Sequence, residues 1–185
     1  MNKFYSAWYI LMTIPFITMQ KKTNKYMKAR WYGPKTDILN DIQSKVKKIS
    51  ITANEYSQTS SSWKLNELRG VFGDLLFSVC CLANSYGEIS HKRYPWKINL
   101  QEILIATPID SNNTVREDSM YGAMTDLKNS IQRETNDLKI IQEKLWVLLL
   151  QILRLSTDCT INCEHERIDL SHAFILNMRK LQSLK

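Results

Sequence analysis

The sequence predicts an all-α protein, a helical bundle built around one shared core, and three observations support this. First, 44% of the 185 residues are hydrophobic and 10% are aromatic, which is enough apolar surface to bury a core. Second, only 5 glycines and 4 prolines are present, so little interrupts long helices. Third, apolar residues recur at helical spacing, whereas the alternation typical of strands is nearly absent. Collagen-like chains, coiled-coil arrays and disordered tails are excluded.

Residues 1–35 are predicted to form a basic N-terminal helix and loop. The stretch 4–19 is mostly apolar and predicts a first core helix, but it is shorter than the ~20 residues of a membrane span and contains Pro15. We therefore expect no membrane span. The lysine-rich stretch that follows, up to Pro34, is expected to be a loop. Because this start carries lysines and no acids, it is compatible with targeting to an organelle such as the mitochondrion.

A pair of long helices is predicted next. The first begins near Thr36, whose hydroxyl is expected to cap the first turn, and Asp37 there favours the helix dipole. The polar run 57–62 predicts a linker, and the second helix is expected over 63–86, ended by Gly87. The positions that these helices are expected to bury are Ile38, Ile42, Val46, Ile49, Leu65, Leu68, Phe72, Leu75, Leu76, Val79 and Leu82.

The second half of the chain predicts a short helix, two long helices and a last helix. In chain order, loops are expected at 88–96 and 108–114, and helices at 100–106, about 115–135, 138–157 and 169–183. Residues 145–155 are apolar almost all round, and the flanking charges lie too close together for a membrane span. We therefore expect this segment to lie at the centre of the bundle.

The formal net charge of +7 is confined to one region. Residues 1–36 hold 7 basic residues and no acid, whereas the other 18 basic residues are balanced by 18 acids. A local positive tract favours an anionic partner such as RNA, because phosphates pair with cations and bases stack on aromatic rings. A solvated loop anchored on the bundle by aromatic side chains is the alternative. The candidate RNA or anion-binding residues are Lys28, Arg30, Trp31 and Lys35, with Lys92 and Arg93 in a second basic loop.

The four cysteines are too few and too clustered for a secreted disulfide framework, so an intracellular, reducing location is expected. Cys80 and Cys81 are expected to pack as small apolar residues. A zinc site is conceivable, but its spacing is not a strong zinc motif, and free thiols in a loop are the favoured interpretation. The residues of that conceivable site are Cys159, Cys163, His165 and His172.

One segment resembles a known family. Residues 71–84 read Val-Phe-Gly-Asp-Leu-Leu-Phe-Ser-Val-Cys-Cys-Leu-Ala-Asn. This is similar to the third helix of MazG-type nucleoside triphosphate pyrophosphohydrolases, of the all-α NTP pyrophosphatase superfamily, where Glu-Leu-Gly-Asp-Leu-Leu-Phe precedes an apolar run. The family pairs that helix with an earlier one bearing Glu-Glu-x-x-Glu, and residues 40–44 lie at the expected place. Residues 168–181 also resemble the family's closing segment.

A second, weaker copy of the same pattern follows. Residues 143–155 parallel the Gly-Asp-containing helix, and residues 124–131 correspond to its partner helix. The resemblance therefore implies two degenerate MazG-like repeats, at 36–110 and 111–185, that share one core around a pseudo-two-fold axis.

The resemblance also implies a reaction, the hydrolysis of a nucleoside triphosphate to the monophosphate and pyrophosphate, with Mg²⁺ held by carboxylates on two helices. Most of those carboxylates are missing. The family's five acidic positions hold Asn40, Asp41, Ser44, Val71 and Asp74 in the first copy, and Thr125, Asp126, Asn129, Lys144 and Val147 in the second. Asp41 and Asp74 are therefore the candidates for a residual, weak metal site, and ordinary polar helix residues are the alternative.

We expect a catalytically degenerate MazG-like protein with no catalytic residue and no cofactor. It would serve as a structural or interaction subunit of a larger assembly, with protein partners and, in a ribonucleoprotein, RNA bound through its basic loops. One alternative is an active, Mg²⁺-dependent nucleoside triphosphate pyrophosphohydrolase that uses Asp41 and Asp74. Another is an all-helical signalling ligand of the cytokine kind, which paired cysteines and removal of residues 1–20 would support.

Overall fold

The computed structural model describes residues 16–29, 33–87, 96–106, 120–133, 137–161 and 168–183 of the chain. Seven α-helices make up most of these ranges, which contain no β-strand. The helices are α1 (Phe16–Ala29), α2 (Lys35–Thr59), α3 (Ser62–Asn84), α4 (Leu100–Ala106), α5 (Met120–Gln132), α6 (Leu138–Ile161) and α7 (Leu170–Ser183). The prediction of an all-α helical bundle is confirmed. None of these helices is both long and apolar enough to cross a membrane.

Helix α1 covers residues that the sequence predicted to be a loop. The stretch 20–29 is helical, and that prediction is wrong. The reason is amphipathicity, because Met19, Gln20 and Thr23 are buried on one face while the lysines of α1 lie exposed on the other. Residues 4–15 of the predicted first helix lie outside the described residues.

Buried hydrogen bonds hold α1 against two other helices. The Gln20 amide Nε2 donates to Asn84 Oδ1 at 3.2 Å and to the Ile98 carbonyl at 3.0 Å. Gln20 Oε1 accepts from the Leu100 N–H at 2.9 Å. This network joins α1 to the end of α3 and the start of α4, and it satisfies polar groups that would be costly to bury unpaired.

The connection between α2 and α3 is shorter than predicted. Helix α2 continues to Thr59, so that Ser60 and Ser61 alone join it to α3 rather than a linker over 57–62. Ser60 makes the turn in the left-handed region, with φ of 48°. The start of α2 also differs, because Pro34 is the N-cap residue and no side chain caps the helix, whereas Thr36 lies inside the first turn.

Helix α3 is the most enclosed element of the described bundle. Between residues 71 and 84, every residue except Asp74 is buried. Helices α1, α2 and α7 pack around it. The sequence placed residues 145–155 of α6 at the centre, and much of that segment is indeed buried, but Trp146 and Leu155 remain partly exposed. The core is therefore centred on α3, with α6 on its flank.

Helices α3 and α7 approach each other closely at Gly73. A Cβ atom built on Gly73 would lie 2.2 Å from the carbonyl oxygen of Ala173. The Asn177 amide Nδ2 donates to the Gly73 carbonyl at 3.4 Å across the same contact. Only glycine therefore permits this helix separation. Gly73 is the glycine of the Gly-Asp pair within residues 71–84. The close contact with α7 gives this glycine a role in packing.

Candidate functional site

The two candidate carboxylates lie on neighbouring helices, Asp41 on α2 and Asp74 on α3. Asp41 faces α3, and its Oδ2 accepts a hydrogen bond from Ser78 Oγ at 2.6 Å. The same oxygen accepts from Lys45 Nζ at 2.5 Å. Lys45 Nζ also lies 2.6 Å from Ser78 Oγ. The carboxylate, the ammonium group and the hydroxyl thus contact one another pairwise between the two helices.

The Lys45 ammonium supplies the positive charge next to Asp41. Its side chain is 19% exposed and that of Asp41 is 37% exposed, so the pair is partly withdrawn from water. A charge-assisted contact in such a place is stronger than an ordinary surface ion pair. Ser78 is fully buried, which leaves its hydroxyl inaccessible to a substrate. The arrangement can fix α2 against α3, and it offers no nucleophile.

Asp74 lies one helical turn before Ser78 and is half-buried. Its backbone carbonyl lies 3.1 Å from Ser78 Oγ. Within the described part of the chain, the Asp74 carboxylate makes no hydrogen bond or ion pair. No group of three or more histidine, cysteine, aspartate or glutamate side chains converges as a metal site in those ranges. Of the two candidate carboxylates, Asp41 is therefore paired with Lys45, and Asp74 is separate from that pair.

Asp126, a position of the predicted second copy, is also paired with a lysine. Asp126 on α5 and Lys144 on α6 form an ion pair at 3.5 Å. This pair lies at the surface, with side-chain exposures of 58% for Asp126 and 37% for Lys144. Lys144 thereby joins α5 to α6.

A third lysine joins the first helical pair to the second. Lys128 Nζ on α5 donates to Gln43 Oε1 at 2.8 Å and to Asn40 Oδ1 at 3.2 Å, both on α2. An ammonium group and two amide oxygens therefore meet between α2 and α5.

Of the candidate anion-binding residues, the structure describes two. Lys28 is exposed near the end of α1. Lys35 Nζ lies 3.8 Å from the centre of the Tyr86 ring, a cation–π contact that joins the start of α2 to the end of α3. The remaining candidates lie outside the described residues, namely Arg30, Trp31, Lys92 and Arg93.

The predictions for the cysteines also fall partly on described residues and partly outside them. Cys80 and Cys81 are buried free thiols, as expected. Burial raises the pKa of Cys80 to about 12 and also raises the pKa of Cys81, so both remain protonated and apolar at neutral pH. Among the conceivable zinc ligands, His172 is exposed at the start of α7. The side chains of the other three lie outside the described residues, namely Cys159, Cys163 and His165.

Sequence reasoning missed Lys45 and Ser78. The spacing of Asp41 and Lys45, four residues apart on one helix, is a signal that could have revealed their pairing. No comparable signal exists for Ser78, because its contact depends on the register between α2 and α3.

Comparison with protein-family models, with curated proteins and with solved structures finds no significant match to this chain.

Proposed function

We propose that this protein is a catalytically degenerate MazG-like scaffold that serves as a structural subunit of a larger, RNA-containing assembly in a reducing intracellular compartment. The proposal combines the motif resemblance with the loss of family carboxylates. It assigns no catalytic residue and no resident metal. The remaining polar residues of the former site would hold the helices together instead.

The contact between Lys45 and Asp41 carries this proposal. Mg²⁺ requires several oxygen ligands in near-octahedral geometry, and carboxylates normally supply the charge that holds it. Here the Asp41 oxygen that faces α3 is engaged by an ammonium group at 2.5 Å. A divalent cation at that oxygen would have to displace Lys45 and then meet a repelling charge nearby. In this proposal, the Lys45 ammonium therefore balances the charge of Asp41, as Mg²⁺ does for the carboxylates of the family.

A contact between α2 and α5 supports the tandem repeat. In the motif alignment, Asn40 corresponds to Thr125, so Gln43 corresponds to Lys128. These two aligned residues contact each other at 2.8 Å. Residues related by a two-fold axis touch when they lie close to that axis. The contact is what a pseudo-two-fold axis between α2 and α5 would produce.

The proposal is tested by incubating the purified full-length chain with Mg²⁺ and a panel of ribo- and deoxyribonucleoside triphosphates, and measuring pyrophosphate release. We expect no release above the background without protein. Electrostatic stabilisation by the metal site is usually the largest catalytic term, and most of its ligands are missing.

The Asp74→Ala and Asp126→Ala variants serve as a matched pair in this assay. Asp74 is the candidate ligand of the active alternative, whereas Asp126 is a surface residue paired with Lys144. Pyrophosphate release that Asp74→Ala abolishes and Asp126→Ala preserves would establish the active hydrolase and overturn the proposal. Release that survives both substitutions would point to a contaminating enzyme, and its loss on further purification would uphold the proposal.

A further inference from the structure

We propose that the outer face of α2 binds a second copy of this chain. In this dimer the two α2 helices lie antiparallel, and the two-fold axis between them passes next to Ile51. The inference goes beyond the proposed function, because it identifies a partner that neither the motif resemblance nor the RNA-containing assembly supplies.

Ile51 is the apolar centre of this face. Its side chain is 50% exposed, whereas the apolar residues on the opposite side of α2 are buried in the core. Trp63, at the start of α3, is 64% exposed. Lys64 Nζ lies 4.5 Å from the centre of the Trp63 ring and 2.5 Å from Glu55 Oε2, so the indole borders the same surface. Large apolar side chains that polar residues surround are typical of a protein interface.

The outer face extends along α2 on both sides of Ile51. Positions three or four residues apart lie on one side of an α-helix. At this spacing α2 presents exposed polar residues, which are Ser44, Lys47, Asn54 and Gln58. The described helices that pack on α2 are chiefly α3 and α5, and they contact its other sides. The outer face therefore offers a stripe about 21 Å long that no described helix covers.

The charges on the outer face are complementary to themselves. Lys47 lies four residues before Ile51, and Glu55 lies four residues after it. A two-fold axis at Ile51 therefore places Lys47 opposite Glu55 of the second copy. Lys47 is exposed and makes no hydrogen bond or ion pair within the described part of the chain. Glu55 contacts Lys64 through Oε2, and its side chain remains 44% exposed.

A second copy fits this face better than a partner that carries charges of one sign. Because a base and an acid lie at equal distances from Ile51, a strongly acidic or basic partner would meet one repelling residue for each attracting one. An antiparallel copy meets attraction at both ends and brings the two Ile51 side chains together at the axis. The interface is small, so we expect a weak dimer whose population depends on protein concentration.

The test is sedimentation velocity of the full chain over a wide range of concentrations, for the wild type, Lys47→Glu and Glu55→Lys. We expect the wild type to dimerise. Each variant should raise the Kd of the dimer about tenfold or more, because like charges then face each other across the axis. An equimolar mixture of the two variants places opposite charges together again, and its Kd should return to within about threefold of the wild type. Recovery in the mixture separates a contact between chains from damage within one chain.

Ile51→Ser and Ile175→Ser are the matched pair for the apolar contact. Both replace an exposed isoleucine, which is 50% exposed on α2 and 38% exposed on α7. Ile51→Ser should raise the Kd about tenfold, because it removes the side chain at the axis, and Ile175→Ser should leave the Kd within about twofold. Because both positions lie at the surface, neither substitution removes a core side chain.

Three results would each overturn the inference. The first is a wild-type chain that stays monomeric at every concentration. The second is a mixture of Lys47→Glu and Glu55→Lys that dimerises no better than either variant alone. The third is equal weakening by Ile51→Ser and Ile175→Ser. None of these results bears on pyrophosphate release, which tests the proposed function separately.

Discussion

The helical pairs α2–α3 and α5–α6, which the sequence predicts to be two copies of one pattern, lie in different surroundings. In the first pair, the motif glycine is Gly73, and α7 packs so closely on it that a Cβ atom would overlap Ala173. The aligned residue in the second pair is Trp146, which is only partly buried. A small residue allows another helix to cover α3, whereas the large indole leaves α6 on the flank of the bundle.

The aspartates of the two helical pairs, Asp41 and Asp126, also differ in their surroundings. Asp41 is joined to Lys45 and to the buried Ser78 between two helices, at distances of 2.5 and 2.6 Å. Asp126 meets Lys144 at 3.5 Å on the surface. Asp41 therefore contributes to the packing between two helices, whereas Asp126 makes a surface contact.

The largest effect is expected from Gly73→Ala. The added methyl group would collide with the backbone of α7, which cannot move as a flexible side chain would. We expect the free energy of unfolding to fall by about 3 kcal/mol, the upper range for overpacking a core. Urea denaturation followed by circular dichroism measures this.

The control for that substitution lies one turn away in the same helix. Gly70 is exposed, and nothing lies within 4 Å of a Cβ atom built there. Gly70→Ala should stabilise the protein by about 0.5–1 kcal/mol, because alanine is the better helix former. If both alanine variants were stabilised alike, the close contact between α3 and α7 would be refuted.

A smaller effect is expected from Asp41→Asn, compared with Asp126→Asn. Removing the charge at Asp41 leaves Lys45 partly buried without its partner and weakens the bond from Ser78. We expect a loss of about 1–2 kcal/mol for Asp41→Asn and about 0.5 kcal/mol or less for Asp126→Asn.

Denaturation of both variants at low and at high salt distinguishes the partly buried ion pair from the exposed one. The small effect of Asp126→Asn should vanish at high salt, because exposed charges are screened, whereas most of the effect of Asp41→Asn should persist. Equal losses for the two variants would show that the two pairs do not differ as described.

The sequence predicted the fold class and most helices because apolar periodicity is strong in this chain. Helices α3, α4 and α7 begin and end within two residues of the predicted positions. The prediction failed at α1, whose lysines suggested a loop. The buried face of this helix also contains two polar residues, Gln20 and Thr23. Hydropathy patterns cannot identify a buried face that is held partly by hydrogen bonds.

The candidate site was predicted only in part, for a related reason. The sequence itself shows that Asn40, Ser44 and Val71 carry no carboxylate, and it shows the four-residue spacing of Asp41 and Lys45. The contact of Ser78 with both of them, and that of Lys128 with Gln43, depend on how helices pair across the bundle. Such contacts between helices require a register that a single sequence does not contain.

Under the proposed function, the Lys45 ammonium stands where a metal ion would otherwise contact Asp41, and calorimetric titration of the full chain with Mg²⁺ tests this claim. The titration is performed on the wild type, Asp41→Asn and Asp74→Asn, each with and without a non-hydrolysable nucleoside triphosphate. We predict no saturable binding of Mg²⁺ to any of the three proteins. Saturable Mg²⁺ binding by the wild type that either asparagine variant removes would contradict the claim.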